Sequence, residues 1–130
     1  MRPGESATFT RRITQDDFDR FAALTGDDNP IHVDVAFSAR TRFGKTLCHG
    51  MLLGSLVAEA LRTRLGPGAV AIEQELRFPG PAFAGDELSI RIEALRVDGE
   101  VGVAELAAVV IAPSGVCCEA RTVVHVPGEG

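Results

Sequence analysis

The sequence predicts an α+β fold in which one antiparallel sheet covers one long helix. Three observations predict it. The stretch from Gly50 to Leu65 is apolar enough to be buried, and Gly66-Pro67-Gly68 stops it. Everything after it reads as consecutive strands separated by tight turns. The chain has 130 residues, 45% of them apolar, which suits one core and a single domain over residues 1–130.

The elements follow in order. Residues 6–13 have the β-branched, alternating character of a short strand. Thr14 with Asp17 three positions on approaches a capping box. Phe18, Phe21, Ala22 and Leu24 then continue at helical spacing, which predicts a helix from Gln15 to about Leu24, ended by Gly26. Residues 25–33 read as a loop stiffened by Pro30. Asp34 can cap a short helix from Val35 to about Thr41, and residues 42–49 look irregular. The helix from Gly50 would be about 24 Å long and buried on most sides.

Val70, Ile72, Gln74, Leu76 and Phe78 alternate with polar or small residues, the pattern of a half-buried strand. Pro79-Gly80-Pro81 breaks that run, and Ala84-Gly85-Asp86-Glu87 is a turn. A second strand starts with Leu88, Ile90 and Ile92, and its phase slips near Ala94-Leu95, which predicts a bulge. Asp98-Gly99 is a hairpin signal leading into a third strand from Val101 to Ala112. Pro113-Ser114-Gly115 turns the chain into a last strand, Cys117 to Val126. Cys118, Ala120, Thr122, Val124 and Val126 should share one of its faces. Pro127 to Gly130 should fray. The short connections predict that successive strands pair as a meander.

Composition excludes several function classes. Net charge is −5 without a basic cluster, which argues against nucleic acid and against an anionic membrane surface. There is no Trp or Tyr to stack on bases. No run approaches the roughly 20 apolar residues of a membrane span. The polar N-terminus lacks a signal-peptide core, so export is not indicated. Cys48 is distant from the adjacent Cys117 and Cys118, so neither a disulfide framework nor a CxxC metal pair is present. A reducing cytoplasm is the simplest location.

One stretch concentrates chemistry. Asp27 and His32 stand five positions apart on the stiffened loop, and His49-Gly50 follows at the mouth of the apolar helix. A carboxylate and an imidazole can act as an acid/base pair, and histidine titrates near neutrality. A helix N-terminus offers free N–H groups and a positive dipole end. On residue types alone a structural reading comes first. Asp27 or Asp28 can shape an Asx-turn, Asn29 before Pro30 is a turn former, and His32 can be a hydrogen-bonded structural histidine.

The family pattern changes that weighting. Gly26-Asp27-Asp28-Asn29-Pro30-Ile31-His32, followed by His49-Gly50-Met51-Leu52, resembles the hydratase motif of the MaoC-like proteins. These are the (R)-specific enoyl-CoA hydratases and 3-hydroxyacyl dehydratases of the hot-dog fold. Leu76-Arg77-Phe78 and Pro81-Ala82-Phe83-Ala84-Gly85-Asp86 are similar to that family's strand-turn-strand segment. The resemblance spans nearly the whole chain. It implies a hot-dog domain, a homodimer with sheets joined edge to edge, and a 2-enoyl or (R)-3-hydroxyacyl thioester of CoA or an acyl carrier protein as substrate. No cofactor or metal is implied. Asp27 and His32 carry over as the catalytic pair and the Gly50 amide as the oxyanion donor.

The substrate-binding candidates are Asn29, Ser55, Met51, Leu53 and Phe43, with Asn29 mainly orienting the loop. Some family members have a hydroxyl residue where this chain has Ala58, and Ser55 is the only hydroxyl on the helix's first two turns. Met51, Leu52 and Leu53 read as helix core that can also line an acyl tunnel. Arg40, Arg42 and Lys45 suit either CoA phosphates or a solvated surface. Asp28 is expected to face solvent, His49 to be a structural partner of the loop, His125 to be exposed and Cys48 to pack in the core. Two rivals share the fold: an acyl thioesterase, and a non-catalytic acyl-binding subunit.

Overall fold

A computed structural model describes residues 1–127. The expected fraying of Pro127 to Gly130 lies, beyond Pro127, outside the described residues. The elements are β1 (Ser6–Arg12), α1 (Gln15–Thr25), α2 (Pro30–Val33), α3 (Val35–Ala39), α4 (Gly50–Leu65), β2 (Val70–Arg77), β3 (Glu87–Asp98), β4 (Val103–Ala112) and β5 (Gly115–His125). No helix among the described residues is long and apolar enough to cross a membrane.

The five strands form one antiparallel sheet in the order β1-β3-β4-β5-β2. α4 packs on one face of it and touches β2, β3, β4 and β5. Leu53, Leu56, Val57, Ala60 and Leu61 of α4 meet a core that includes Leu88, Ile90, Ile92, Leu106, Val110, Cys118 and Val124. Alternation along β3, β4 and β5 delivers these residues to one face, so the apolar pattern and the pairing register agree. The predicted slip is a register shift between Ala94 and Arg96. Thr14 closes the predicted capping box with Asp17, and Gly26 ends α1 in the left-handed conformation at φ 80°.

Four expectations are corrected. The strands do not all form a meander: β3, β4 and β5 do, but β2 pairs with β5, and β1 pairs with β3. The segment after β2 therefore carries the chain from one end of the sheet back past β5 and β4. β2 is not half-buried. It is an edge strand, and Val70 and Ile72 are each 58% exposed. α4 is not buried on most sides: Met51 is 60% exposed, because the sheet covers only one stripe of the helix. Residues 30–33 are not loop but a single helical turn, with Pro30 at its first position and the Asn29 side chain accepting from the Ile31 N–H.

Two glycines set how closely α4 lies on β2. A Cβ at Gly54 would come within 2.7 Å of Leu76 Cδ1, and one at Gly50 within 2.9 Å of the Phe78 ring. The two positions are one helical turn apart, so they form a smooth strip that accepts Leu76 of β2 and Phe78 just beyond it.

Candidate active site

The site is assembled where three irregular segments meet. The first is the bend between α1 and α2, which carries Asp27 and His32. The second is residues 46–49, leading into α4. The third is the crossing segment after β2: the Cys48 N–H donates to the Ala82 carbonyl, and Leu47 and Phe83 form an isolated bridge. The long connection that breaks the meander thus forms one wall of the site.

His32 is held on both sides. Its backbone N–H donates to the Asn29 carbonyl at 2.9 Å. Its Nδ1 lies 2.6 Å from the Leu47 carbonyl oxygen, and the Leu47 N–H donates to the Ile31 carbonyl. A carbonyl only accepts, so Nδ1 carries the proton and Nε2 keeps its lone pair in the neutral ring. Gln15 donates through Nε2 to the His32 carbonyl at 2.9 Å and accepts from Thr46 Oγ1 at 2.6 Å. The buried Ser38 hydroxyl donates to the Ile31 carbonyl. Gln15, Ser38, Thr46 and the Leu47 carbonyl were invisible as site residues in the sequence. Gln15 reads there only as the first residue of a helix, and nothing local says that its side chain spans 31 positions to Thr46.

The Asp27 carboxylate and ring nitrogens of His32 and His49 lie within 4.8 Å of one another. Asp27 is exposed and His32 half-buried. A gap of that size is one that a single water bridges, since two hydrogen bonds of about 2.8 Å span it. His49 is 1% exposed and its Nε2 donates to the Asp27 backbone carbonyl at 2.9 Å. Its ring stacks on His32 with centroids 3.9 Å apart and planes 26° apart, and packs against Phe21 at 4.8 Å. Burial holds its pKa below the ordinary histidine value, aided by the His32 ring, although the bond to the Asp27 carbonyl and the Asp27 charge pull the other way. His49 is thus a partner of the loop, as its sequence position suggested.

These three side chains are the obvious place to seek a metal. Their donor atoms lie within 4.8 Å of one another. Each imidazole has one nitrogen bonded to a carbonyl, which leaves Nε2 of His32 and the buried Nδ1 of His49 as the remaining donors. A tetrahedral zinc needs donors converging at about 2.0–2.2 Å on one point.

His32 and Gly50 open onto one cleft of about 330 Å³, lined also by Arg42, Phe43, Leu47, Cys48, Leu53, Phe78 and the 79–82 segment. Gly50 is the first residue of α4, where helix geometry leaves the N–H without an intrahelical acceptor. Phe78 lies against Gly50 and so flanks that amide. The sequence places Phe78 at a strand end and in the Leu76-Arg77-Phe78 segment, and gives no sign that it reaches the site. Of the sequence candidates, Phe43 and Leu53 join His32 and Gly50 in the cleft. Asp27, Asn29, Ser55 and Met51 do not, although Asp27 approaches His32. Asn29 is exposed and caps α2, and Ser55 is exposed, its hydroxyl donating back to the Met51 carbonyl. Met51 is on the uncovered side of α4.

Two cations stand over aromatic rings, Arg42 and Phe43 lining the cleft and Lys45 and Phe83 outside its lining. The Arg42 guanidinium stands 4.7 Å from the Phe43 ring centre, and Lys45 Nζ stands 5.7 Å from that of Phe83. Arg40 does not line the cleft. Cys48 does, but burial and the neighbouring Cys117 push its thiol pKa far up, which disqualifies it as a thiolate nucleophile.

Comparison with known proteins agrees with this architecture. Residues 2–111 match the model of the MaoC like domain. The chain is 37% identical over 128 residues to a 3-hydroxybutyryl-CoA dehydratase of Methylorubrum extorquens, covering 98% of this chain and 82% of the relative. It is 41% identical over 101 residues to an (R)-specific enoyl-CoA hydratase of Aeromonas caviae, covering 75% of each. The solved structure of an (R)-hydratase from A. caviae involved in PHA biosynthesis superposes with a TM-score of 0.92 at 33% identity, over 98% of both chains.

Proposed function

The chain belongs to the MaoC-like domain family, and from that premise we propose that it is a hydro-lyase on acyl thioesters. It adds water to 2-enoyl thioesters, or removes it from (R)-3-hydroxyacyl thioesters, of CoA or an acyl carrier protein, on a hot-dog domain. The observation that carries the reading is the approach of the Asp27 carboxylate to a ring nitrogen of His32, beside a cleft that reaches Gly50.

In this reading a water sits between Asp27 and His32 Nε2. Its oxygen bonds to the β-carbon as an O–H bond breaks, and the proton passes to Nε2. The electron pair of the double bond moves to the α-carbon and the thioester oxygen, where the Gly50 N–H stabilises the enolate charge. The proton on Nε2 then reaches the α-carbon, so one water is added and the imidazole is restored. Proton transfer by placed groups contributes about 10²- to 10⁴-fold, and an oxyanion donor about 3–4 kcal/mol. Dehydration runs the same steps in reverse.

Two further features fit this role. β2 leaves an unpaired edge with Val70 and Ile72 exposed, and a second copy joining there gives the edge-to-edge homodimer. The three buried free cysteines suit a reducing cytoplasm.

The test is hydration of crotonyl-CoA, followed by loss of the enoyl absorbance. Asp27→Asn and His32→Ala should each lose about 10²-fold or more in kcat with their fold intact. Wild-type rates in either variant, or release of free thiol without loss of that absorbance, would end the hydro-lyase reading.

A further inference from the structure

We propose that His49 is a positioning residue for this chemistry: it ties the Asp27 backbone to the His32 ring and so sets the spacing of the catalytic pair. The inference rests on the Asp27/His32 site just described, and adds to it a third residue that does not touch substrate.

Asp27 needs such a tie. It lies in an exposed stretch between the end of α1 and the cap of α2. Its N–H donates to Thr25 Oγ1 at 3.2 Å, a contact within the same bend. The bond at its carbonyl comes from His49 Nε2, 22 positions away. The same imidazole lies flat on His32 at 3.9 Å and directly precedes Gly50. One side chain therefore touches both halves of the acid/base pair and belongs to the backbone that starts the oxyanion helix.

The ring's surroundings show why it is a histidine. The Asp27 carbonyl only accepts, so Nε2 bears the hydrogen and Nδ1 the lone pair. Nδ1 is buried and has no partner among the described residues. The rings of Phe18 and Phe21 pack against this imidazole. An apolar side chain here would avoid that orphan acceptor, yet would leave the Asp27 carbonyl unpaired. A histidine with an unsatisfied buried nitrogen is a locally unfavourable choice. What it supplies in exchange is donation to Asp27 and a flat face for His32, both at once.

The two contributions separate by substitution. His49→Phe keeps a flat ring and removes the donor. His49→Gln keeps an N–H donor at similar reach and removes the ring. In crotonyl-CoA hydration, His49→Phe should lower kcat by about 10²-fold with KM little changed, since a displacement near 1 Å at the reacting groups has that effect. His49→Gln should recover most of that loss. A purely structural role would lower the melting temperature of both and leave kcat per folded molecule at the wild-type value, and that result overturns the proposal. So does a His49→Gln variant as slow as His49→Phe.

A measurement on the unaltered protein guards against variants that do not fold. The imidazole ¹⁵N spectrum should show His49 as the Nε2–H tautomer throughout the pH range of activity, and an Nδ1–H tautomer or a charged ring there overturns the proposal. Asp27→Asn and His32→Ala are assayed beside the His49 variants. If those two stay active, the site reading itself falls. If they are dead while His49→Phe is not, this inference alone falls.

Discussion

His32 Nδ1 donates to the Leu47 carbonyl across 2.6 Å, and this contact decides which ring nitrogen keeps its lone pair. Leu47 belongs to the segment that enters α4, so the tautomer of a residue on the α1–α2 bend is set by backbone 15 positions away. The protonated nitrogen is turned to protein, and Nε2 keeps the lone pair that the proposed chemistry uses.

The support beneath His32 can be tested through Gln15. Its amide bonds the His32 carbonyl and receives the Thr46 hydroxyl, and Thr46 is buried. Gln15→Ala and Thr46→Val should each cost about 1 kcal/mol, measured by denaturant unfolding. The double variant should cost less than the sum, because the two changes remove a shared bond.

The two glycines of α4 make a paired prediction. Gly54→Ala places a methyl 2.7 Å from Leu76 Cδ1 and should destabilise by about 1–3 kcal/mol, with relief in a Gly54→Ala/Leu76→Ala double variant. Gly50→Ala meets the Phe78 ring at 2.9 Å, beside the proposed oxyanion donor. Its loss should fall mainly on kcat in crotonyl-CoA hydration, and Phe78→Leu in the same chain should restore part of it.

Burial of His49 gives stability a pH dependence of known sign. Its folded-state pKa is below the ordinary value, so below about pH 6.5 the unfolded chain binds a proton that the folded chain does not. Stability from this group therefore falls as pH drops through that value and is unaffected well above it. Melting temperatures measured from pH 7.5 down to 5 should decline more steeply in the wild type than in His49→Gln.

The thiols should be inert while the protein is folded. Burial raises Cys117 to about 12 and Cys118 to about 11, and Cys48 is pushed up further. Ellman's reagent at pH 8 should titrate these cysteines only after denaturant is added. Iodoacetamide applied to the native protein should leave hydration activity intact, although Cys48 lines the cleft.

By itself the sequence determined the local elements and the chemical types at the site. The Thr14 cap, Gly26 stop, Gly66-Pro67-Gly68 stop and Asp98-Gly99 hairpin signal act over a few residues, so they are legible along the chain. Asp27, His32 and Gly50 were proposed as site residues through the motif's resemblance to the MaoC-like pattern, since their residue types alone favoured a structural reading. The tertiary structure alone decided that β2 pairs with β5 rather than β3, and hence that residues 79–86 cross to the site and bring Phe78 against Gly50. It alone decided that Gln15 and Leu47 hold His32, and that Ser55 and Met51 lie outside the cleft that His32 lines. Strand partners and side-chain clamps depend on contacts between residues far apart in sequence, and their alternatives differ in burial and geometry that no local pattern records.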